Sequence, residues 1–467
     1  MLYCSARLSN MLFQWLAGFL SFALLLTQTS TALATEESEV TIGRKFSLIA
    51  QSQLPLVRDS AVRRYVQRLG QRIVTSLDHA EFPYRFGVVQ EPHINAFSVP
   101  GGYIYIHTGL IQRVQSDDEL ASVLGHEIAH IQGHHFARQQ QDTKWLSYAG
   151  IVSLALALIN PVLAAGASSA AAVTQLKYQR FLEEEADHRG LQYMTRAGFD
   201  PHAMPRFFNT MHGEERLNGV DVPPYFRSHP LSQERLSYIE RTLRTMQWNQ
   251  KEPTDTFELR RVQAILRAVQ GNRSRVIPDY ERQLAASPDN PQAMAILGTV
   301  LLRYHDWERA KTLLEQAGKK GVRLDTELGI ANLRLGLTDQ ARQLFLQQRE
   351  VDPHDAEVRN QLCGLFLSEG SIADAEQECR EALANDPYLD EAYITLARIA
   401  QQRQQSGEAR LLLAQAMELQ GRLEAAFNQY QQAALLLGPK HAQAEMITEK
   451  SNELEELRSE IRRAGGR

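Results

Sequence analysis

The chain has 467 residues, more than one ordinary hydrophobic core takes, so we expect two or three domains. Lys and Arg together number 50 and Asp and Glu 55, and no block of like charges dominates the sequence. This near balance of charge does not indicate nucleic-acid binding, and we expect no nucleic acid among the partners.

Residues 1–34 have the pattern of an export signal. Arg7 precedes an apolar run from Met11 to Leu26, and Ala32-Leu33-Ala34 has the small-x-small pattern after which signal peptidase cleaves. The apolar run is shorter than a membrane-spanning helix needs, which disfavours an uncleaved anchor. We therefore expect an exported chain that is cleaved after Ala34.

The next residues predict packing helices and then short strands. Helical patterns cover 36–51 and 60–77, and strand-like runs follow at 84–89 and 103–107. A strand at the edge of a sheet can offer backbone hydrogen bonds to an extended peptide. We interpret Tyr103–His107 as the candidate for that edge strand, and an interior strand is the alternative.

A metal-binding motif lies inside an amphipathic helix that we predict from Asp117 to about Gln132. In His126-Glu127-x-x-His130 the two histidines are four residues apart, so they share one helix face and can bind one metal ion. This pattern is typical of zinc peptidases, in which the glutamate takes a proton from the attacking water. We predict a zinc endopeptidase with one zinc ion per chain and Glu127 as the general base.

The third metal ligand has two candidate sources. One class of these peptidases continues the motif as HExxHxxGxxH, and Gly133 fits its glycine. Phe136 stands where that class has its third histidine, and His134 and His135 are out of register. This class therefore fits poorly.

The second source is an acidic segment at residues 181–188. Glu183 and Asp187 are four apart, so Glu183 can bind the metal while Asp187 accepts the other ring N–H of a ligand histidine, taken to be His126. Glu184 and Glu185 are alternatives to Glu183 as the ligand. We favour the class of peptidases in which a glutamate from such a later segment is the third metal ligand.

Four motifs in order make a resemblance specific. They are Asn95-Ala96 with Pro100-Gly101-Gly102, Gly125 to His130, Glu183-x-x-x-Asp187, and Ser228-His229-Pro230. Together they resemble the gluzincin family that contains the HtpX and CAAX prenyl proteases. The resemblance implies an α+β zincin-like domain, mostly helical with a small sheet, and zinc on His126, His130 and Glu183.

The same resemblance places His229 near the active site. There His229 could stabilise the oxyanion of the tetrahedral intermediate. It could instead occupy the open metal position and keep the enzyme latent. The sequence leaves both roles open.

An uncharged apolar stretch runs from Trp145 to Leu176. A single membrane span here would put the two ligand segments on opposite sides of a bilayer, although both must reach one metal ion. We therefore predict a helical hairpin over or beside the cleft, in contact with a membrane surface or a bulky hydrophobic substrate. A re-entrant membrane segment is the alternative.

The second half repeats small residues at a helical-hairpin period of about 31 to 34 residues. The aligned positions are Gly298, Ala310 and Ala317; Gly329 and Ala341; Cys363, Ala375 and Ala382; and Ala397, Ala409 and Ala416. They resemble tetratricopeptide repeats, which stack into an all-α solenoid with a concave binding face. Cys363 and Cys379 would lie on facing helices of one repeat, and we predict a disulfide between them.

We divide the chain into an export signal (1–34), a metallopeptidase domain (35–250), a linker (251–256) and a repeat domain (257–467). This order resembles that of bacterial periplasmic proteases that act on outer-membrane proteins. The resemblance implies a periplasmic protease and chaperone-like factor for misfolded or stalled β-barrel proteins. It implies that the repeats dock unfolded or misassembled substrate or the outer-membrane barrel assembly complex. A latent or non-proteolytic binding module, with its metal site blocked by His229, is the alternative.

Overall fold

The computed structural model describes residues 39–139, 171–218, 224–230, 232–248 and 256–463. The predicted export signal, most of the apolar stretch from Trp145 to Leu176 and all but the last residue of the predicted linker lie outside these residues. Across the described ranges, no helix combines the length and the hydropathy that crossing a membrane requires.

The first half combines a small sheet with nine described helices. The strands are β1 (Arg85–Val89), β2 (Ala96–Val99) and β3 (Tyr103–His107). The helices are α1 (39–53), α2 (Ser60–Val74), α3 (Thr108–Ile111), α4 (Asp117–Gln132), α5 (His135–Gln139), α6 (Ala171–Arg196), α7 (Ala203–Asn218), α8 (Pro224–Ser228) and α9 (Gln233–Thr245).

The sheet has the strand order β1-β3-β2. β3 pairs parallel with β1 and antiparallel with β2, with Phe86 opposite Ile104 and Phe97 opposite Tyr105. Ile104 and Ile106 face the core built with α2 and α4, whereas Tyr103 and Tyr105 face α1. Both faces of β3 are therefore covered.

The prediction that Tyr103–His107 is an edge strand is wrong, because β3 is the central strand. All five of its residues are buried, as expected for a strand with neighbours on both sides and packing on both faces. The edge strand that contacts α4 is β2, which lies between the two predicted strands and was not itself predicted.

Helix α4 spans Asp117–Gln132, as predicted. The Ser116 side chain accepts a hydrogen bond from the backbone N–H of Glu119, and the Glu119 carboxylate accepts one from that of Gln115. Three acidic residues in the first turn complement the positive end of the helix dipole. Almost the whole helix is buried, so its motif residues are held by core packing on several sides.

The second half consists of twelve described helices in six successive hairpins. They are α10 (Phe257–Gln270) with α11 (Arg273–Ala286), α12 (Pro291–Arg303) with α13 (Trp307–Lys319), α14 (Asp325–Arg334) with α15 (Thr338–Val351), α16 (Ala356–Ser368) with α17 (Ile372–Asn385), α18 (Asp390–Gln402) with α19 (Ser406–Leu419), and α20 (Leu423–Leu437) with α21 (Ala444–Arg463).

Small residues let the helices of each hairpin approach closely. A Cβ at Gly298 would lie 2.9 Å from Leu314, and one at Gly329 would lie 2.5 Å from the Phe345 ring. Ala310, Ala341 and Ala375 are fully buried at matching positions of their hairpins. The predicted all-α repeat architecture is confirmed, and α10 also packs on the core of the first half.

The repeat array contacts the first half directly. Asp59, which caps α2, pairs with Arg303 of α12 at 2.9 Å, and Arg64 pairs with Asp355, which caps α16. Phe46 of α1 belongs to one apolar cluster with sheet residues and with the last hairpin. The two halves therefore share both ionic and apolar contacts.

Cys363 and Cys379 lie on the facing helices α16 and α17, as predicted. Their Cα atoms are 5.2 Å apart, and the structure joins their sulfur atoms in a disulfide. Both residues are fully buried in the core of that hairpin.

We expect reduction of this disulfide to destabilise the repeat array. Closing a loop of this length contributes about 3 kcal/mol through the entropy of the unfolded chain. Thermal unfolding with and without reductant measures the effect, and intact mass after alkylation reports the redox state. The double variant Cys363→Ser/Cys379→Ser is the control, since reductant should leave it unchanged. Two freely alkylating thiols in the native, unreduced protein would contradict the prediction.

Candidate metal centre

Helices α4 and α6 cross at two glycines beside the motif. A Cβ at Gly125 would lie 3.0 Å from the carbonyl oxygen of Gly190, and one at Gly190 would lie 3.0 Å from the backbone nitrogen of His126. The backbones can therefore approach more closely than larger residues allow. This approach brings the acidic segment of α6 against the histidines of α4.

Four side chains converge at this crossing. Nitrogen or oxygen atoms of His126, His130, Glu183 and His229 all lie within 4.8 Å of one another. His126 Nε2 is 3.0 Å from His130 Nε2 and 3.3 Å from Glu183 Oε2, and His130 Nε2 is 3.5 Å from Glu183 Oε1. The structure thus brings together the three residues that we predicted as metal ligands.

These distances fit a zinc ion. Tetrahedral zinc with bonds of about 2.0–2.1 Å has neighbouring donor atoms about 3.3 Å apart. Two imidazoles and a carboxylate form a donor set that zinc prefers in catalytic sites. His126, His130 and Glu183 would hold the ion, and their roles as ligands stay predictions.

Asp187 lies behind His126, as predicted. Its Oδ1 atom is 3.0 Å from His126 Nδ1, the ring nitrogen that faces away from the converging donors. Arg235 of α9 donates from Nε and Nη2 to the two Asp187 oxygens at 2.8 Å and lies 3.1 Å from Glu183 Oε2 through Nη1. One buried guanidinium therefore holds both carboxylates of α6.

Protonation at this centre is governed by burial and by these pairs. Burial alone would raise the pKa of Asp187, but Arg235 and His126 together outweigh it and hold that pKa below its usual range. Burial lowers the pKa of His130 well below its usual value. For His126, burial is outweighed by Asp187 and Glu183, which raise its pKa to about 10. Metal binding would therefore displace a proton from His126.

Glu127 is buried on the side of the centre that faces the sheet. Ser98 of the edge strand β2 donates a hydrogen bond to Glu127 Oε2 at 2.8 Å. The other oxygen, Oε1, is 3.4 Å from His229 Nε2. The candidate general base is thus oriented by a residue of the strand edge.

His229 lies between the converging donors and Glu127. Its Nδ1 atom is 3.3 Å from His126 Nε2 and 3.0 Å from Glu183 Oε1, and its ring is 4.9 Å from that of Tyr225. With Nδ1 toward the ligand set and Nε2 toward Glu127, the imidazole is the fourth donor of the converging group.

The alternative ligands lie elsewhere. Glu184 and Glu185 are not among the converging donors, and Glu185 instead pairs with Arg138 and Arg189. His134 pairs with Glu39 and Glu81, away from the centre.

Sequence reasoning missed several residues at the centre. Arg235 lies six residues after His229, beyond the Ser228-His229-Pro230 motif, and no role was predicted for it. Ser98, His135 and Gly190 also contact site residues. The burial of Arg235 against α6, which reveals its role, is not readable from the sequence.

A buried HExxH helix, a carboxylate from a later helix and a small sheet define the first half as an α+β metallopeptidase domain. Residues 60–243 match peptidase family M48, and residues 326–390 match the tetratricopeptide repeat. The chain carries a peptidase family M48 domain followed by tetratricopeptide repeats, which confirms the family resemblance and the fold class.

Several known proteins are similar to this chain. A putative beta-barrel assembly-enhancing protease of Vibrio cholerae is 35% identical over 211 residues, covering 44% of this chain and 43% of the relative. The beta-barrel assembly-enhancing protease of Escherichia coli is 30% identical, covering 43% of this chain and 42% of the relative. The mitochondrial metalloendopeptidase OMA1 of Schizosaccharomyces pombe is 32% identical, covering 38% of this chain and 52% of the relative. The matched region spans less than half the length of the bacterial relatives.

Among solved structures, the tetratricopeptide-repeat protein YrrB is similar to part of the chain. The similarity has a TM-score of 0.29 and 19% identity, and it covers 37% of this chain and 91% of YrrB.

We expect Arg235→Met to destabilise the protein strongly. The change removes the guanidinium that pairs with the buried Asp187 and Glu183 carboxylates, and removing one partner of a buried ion pair typically costs about 3–5 kcal/mol. Chemical denaturation in the presence of a chelator measures the loss. Arg241→Met, at an exposed position of the same helix, is the matched control. A loss no larger than that of the control would contradict the prediction.

Proposed function

We propose that the chain is a zinc-dependent endopeptidase whose resting arrangement is latent. The observation that carries the proposal is the convergence of two motif histidines and Glu183 at distances that fit zinc, with Glu127 beside them. The position of His229 supports latency, because its ring fills the space between the ligand set and Glu127.

The residues suggest the following division of labour. Zinc, when bound, supplies a Lewis acid that polarises a peptide carbonyl and activates water. Glu127 accepts a proton from the attacking water and delivers it to the leaving nitrogen. Asp187 orients His126, and Arg235 holds the carboxylates of Asp187 and Glu183 in place. The edge of β2 offers backbone groups to an extended substrate beside Glu127.

For catalysis His229 must move out of this position. A substrate carbonyl and a water cannot reach the ligand set while the His229 ring lies there. The role of His229 as an oxyanion stabiliser, which the sequence left open, would require the ring to move aside and contact the intermediate. The latent arrangement is favoured by the contact of Nε2 with Glu127.

The names of the bacterial relatives suggest a biological substrate for this chain. Proteins named beta-barrel assembly-enhancing proteases are similar to the peptidase half. By analogy we propose action in the periplasm on misfolded or stalled outer-membrane β-barrel proteins. The tetratricopeptide repeats would dock this substrate or the barrel assembly complex, and chaperone-like binding would accompany proteolysis.

We expect Glu127→Gln to lower the rate of cleavage of an unfolded outer-membrane β-barrel protein by about 10²–10⁴-fold, because the general base is lost. The rate is followed by gel or mass spectrometry with purified, zinc-loaded protein. Glu184→Gln is the matched control, since Glu184 lies outside the converging donors. Equal cleavage by Glu127→Gln and the parent would refute the catalytic assignment. Binding without cleavage by any variant would favour the non-proteolytic alternative.

We expect His229→Ala to raise the cleavage rate. If the ring competes with substrate for the fourth position by about 1.4 kcal/mol, its removal raises the rate about tenfold. The same assay measures the change, and His229→Ala/Glu127→Gln controls for contaminating proteases. A lower rate in His229→Ala would instead assign His229 to oxyanion stabilisation.

A further inference from the structure

His135 contacts the one ring nitrogen of His130 that faces away from the ligand set. His130 Nε2 faces His126 Nε2 and Glu183, whereas its Nδ1 atom lies 2.8 Å from His135 Nδ1. The two rings meet edge to face, with centroids 4.8 Å apart and planes at 85°. His135 is only 4% exposed, so water does not compete freely for this contact.

The turn after α4 places the His135 ring against His130 Nδ1. A Cβ at Gly133 would lie 2.3 Å from His135 Nε2, so the ring packs where any other residue at position 133 would project. His134 follows with a φ of 49°, in the left-handed region, and turns the chain back so that α5 begins at His135. The glycine and the reversed turn together direct this imidazole under His130.

Hydrogen-bond chemistry fixes the direction of the contact. An imidazole that offers Nε2 to a metal carries its proton on Nδ1, so His130 must donate to its neighbour. His135 Nδ1 must then accept, and the His135 proton lies on Nε2. That atom is 3.5 Å from Glu185 Oε2, and Glu185 is itself held by Arg138 at 2.9 Å and Arg189 at 2.7 Å. The contacts from His130 through His135 and Glu185 to Arg138 and Arg189 therefore pair a donor with an acceptor at each step.

The arrangement parallels that of the other motif histidine. His126 Nδ1 faces Asp187 Oδ1 at 3.0 Å, and His130 Nδ1 faces His135. Each predicted ligand histidine therefore has its own buried acceptor, one a carboxylate and one a neutral imidazole. Such partners orient the ring and strengthen metal binding.

We propose that His135 is a positioning residue for the metal centre, accepting the Nδ1 proton of His130 and holding its Nε2 atom toward the metal. The proposal rests on the proposed function of this centre as a zinc site. It assigns a role to a histidine that the motif spacing excludes as a ligand.

The test measures zinc affinity in the full-length chain, by competition with a chromophoric chelator, on a Glu127→Gln background that prevents self-digestion. His135→Leu removes the acceptor and should weaken zinc binding by about 10–100-fold. In His135→Asn the side-chain oxygen stands near the place of Nδ1, so this variant should bind zinc close to the parent level. His107→Leu is the matched control, because it removes a buried imidazole outside the ligand set.

A second variant moves the ring without replacing it. Gly133→Ala places a methyl group against His135 Nε2, while the φ of −85° at this position suits alanine. We expect a weaker affinity for zinc in this variant, with the melting temperature in chelator showing that it remains folded.

Three results would overturn the proposal. They are parent-like affinity in His135→Leu, equal losses in His135→Leu and His135→Asn, and a loss in His107→Leu as large as that in His135→Leu. A parent that binds no zinc would refute the proposed function as well. A zinc-binding parent with an unaffected His135→Leu variant would refute the role of His135 alone.

Discussion

The metal centre depends on the close approach of α4 and α6 at Gly125 and Gly190. The two motif histidines share a helix face by periodicity alone, but periodicity cannot bring a carboxylate to them. With a Cβ at either glycine 3.0 Å from the backbone of the other helix, larger residues would push the helices apart. The separation set here decides whether Glu183 reaches the histidines and Asp187 reaches the back of His126.

The buried charges at this crossing are better explained by chemistry than by stability. Arg235 and Asp187 are almost wholly removed from water, and the cost of desolvating such a pair commonly cancels its attraction. An apolar pair of similar size would pack the same space at no such cost. What the ions provide is a fixed position for Glu183 and His126, which a metal site needs and a core does not.

Much of this centre could be predicted from the sequence because its signals are local. The spacing of His126 and His130, the pair Glu183 and Asp187, and the capping box of α4 each lie within one helix turn or two. The repeat array was equally readable, because its small residues recur at a fixed period. The partners Arg235 and Ser98 could not be derived, since each contact joins segments far apart in the chain and depends on tertiary packing.

The strand order of the sheet, like the contacts of Arg235 and Ser98, could not be predicted from local sequence patterns. The residues of β3 alternate tyrosine and isoleucine, and either an edge or a centre strand can carry that pattern. β3 is the centre strand because it pairs with β1 on one side and with β2 on the other, while α1 and the last repeat hairpin cover its tyrosine face. The repeat array thereby buries the far side of the sheet. By strand order β2, with Ser98 on Glu127, is the edge that borders the centre. The second half of the chain therefore supports the sheet that carries this edge, through packing on the face opposite the core formed with α2 and α4.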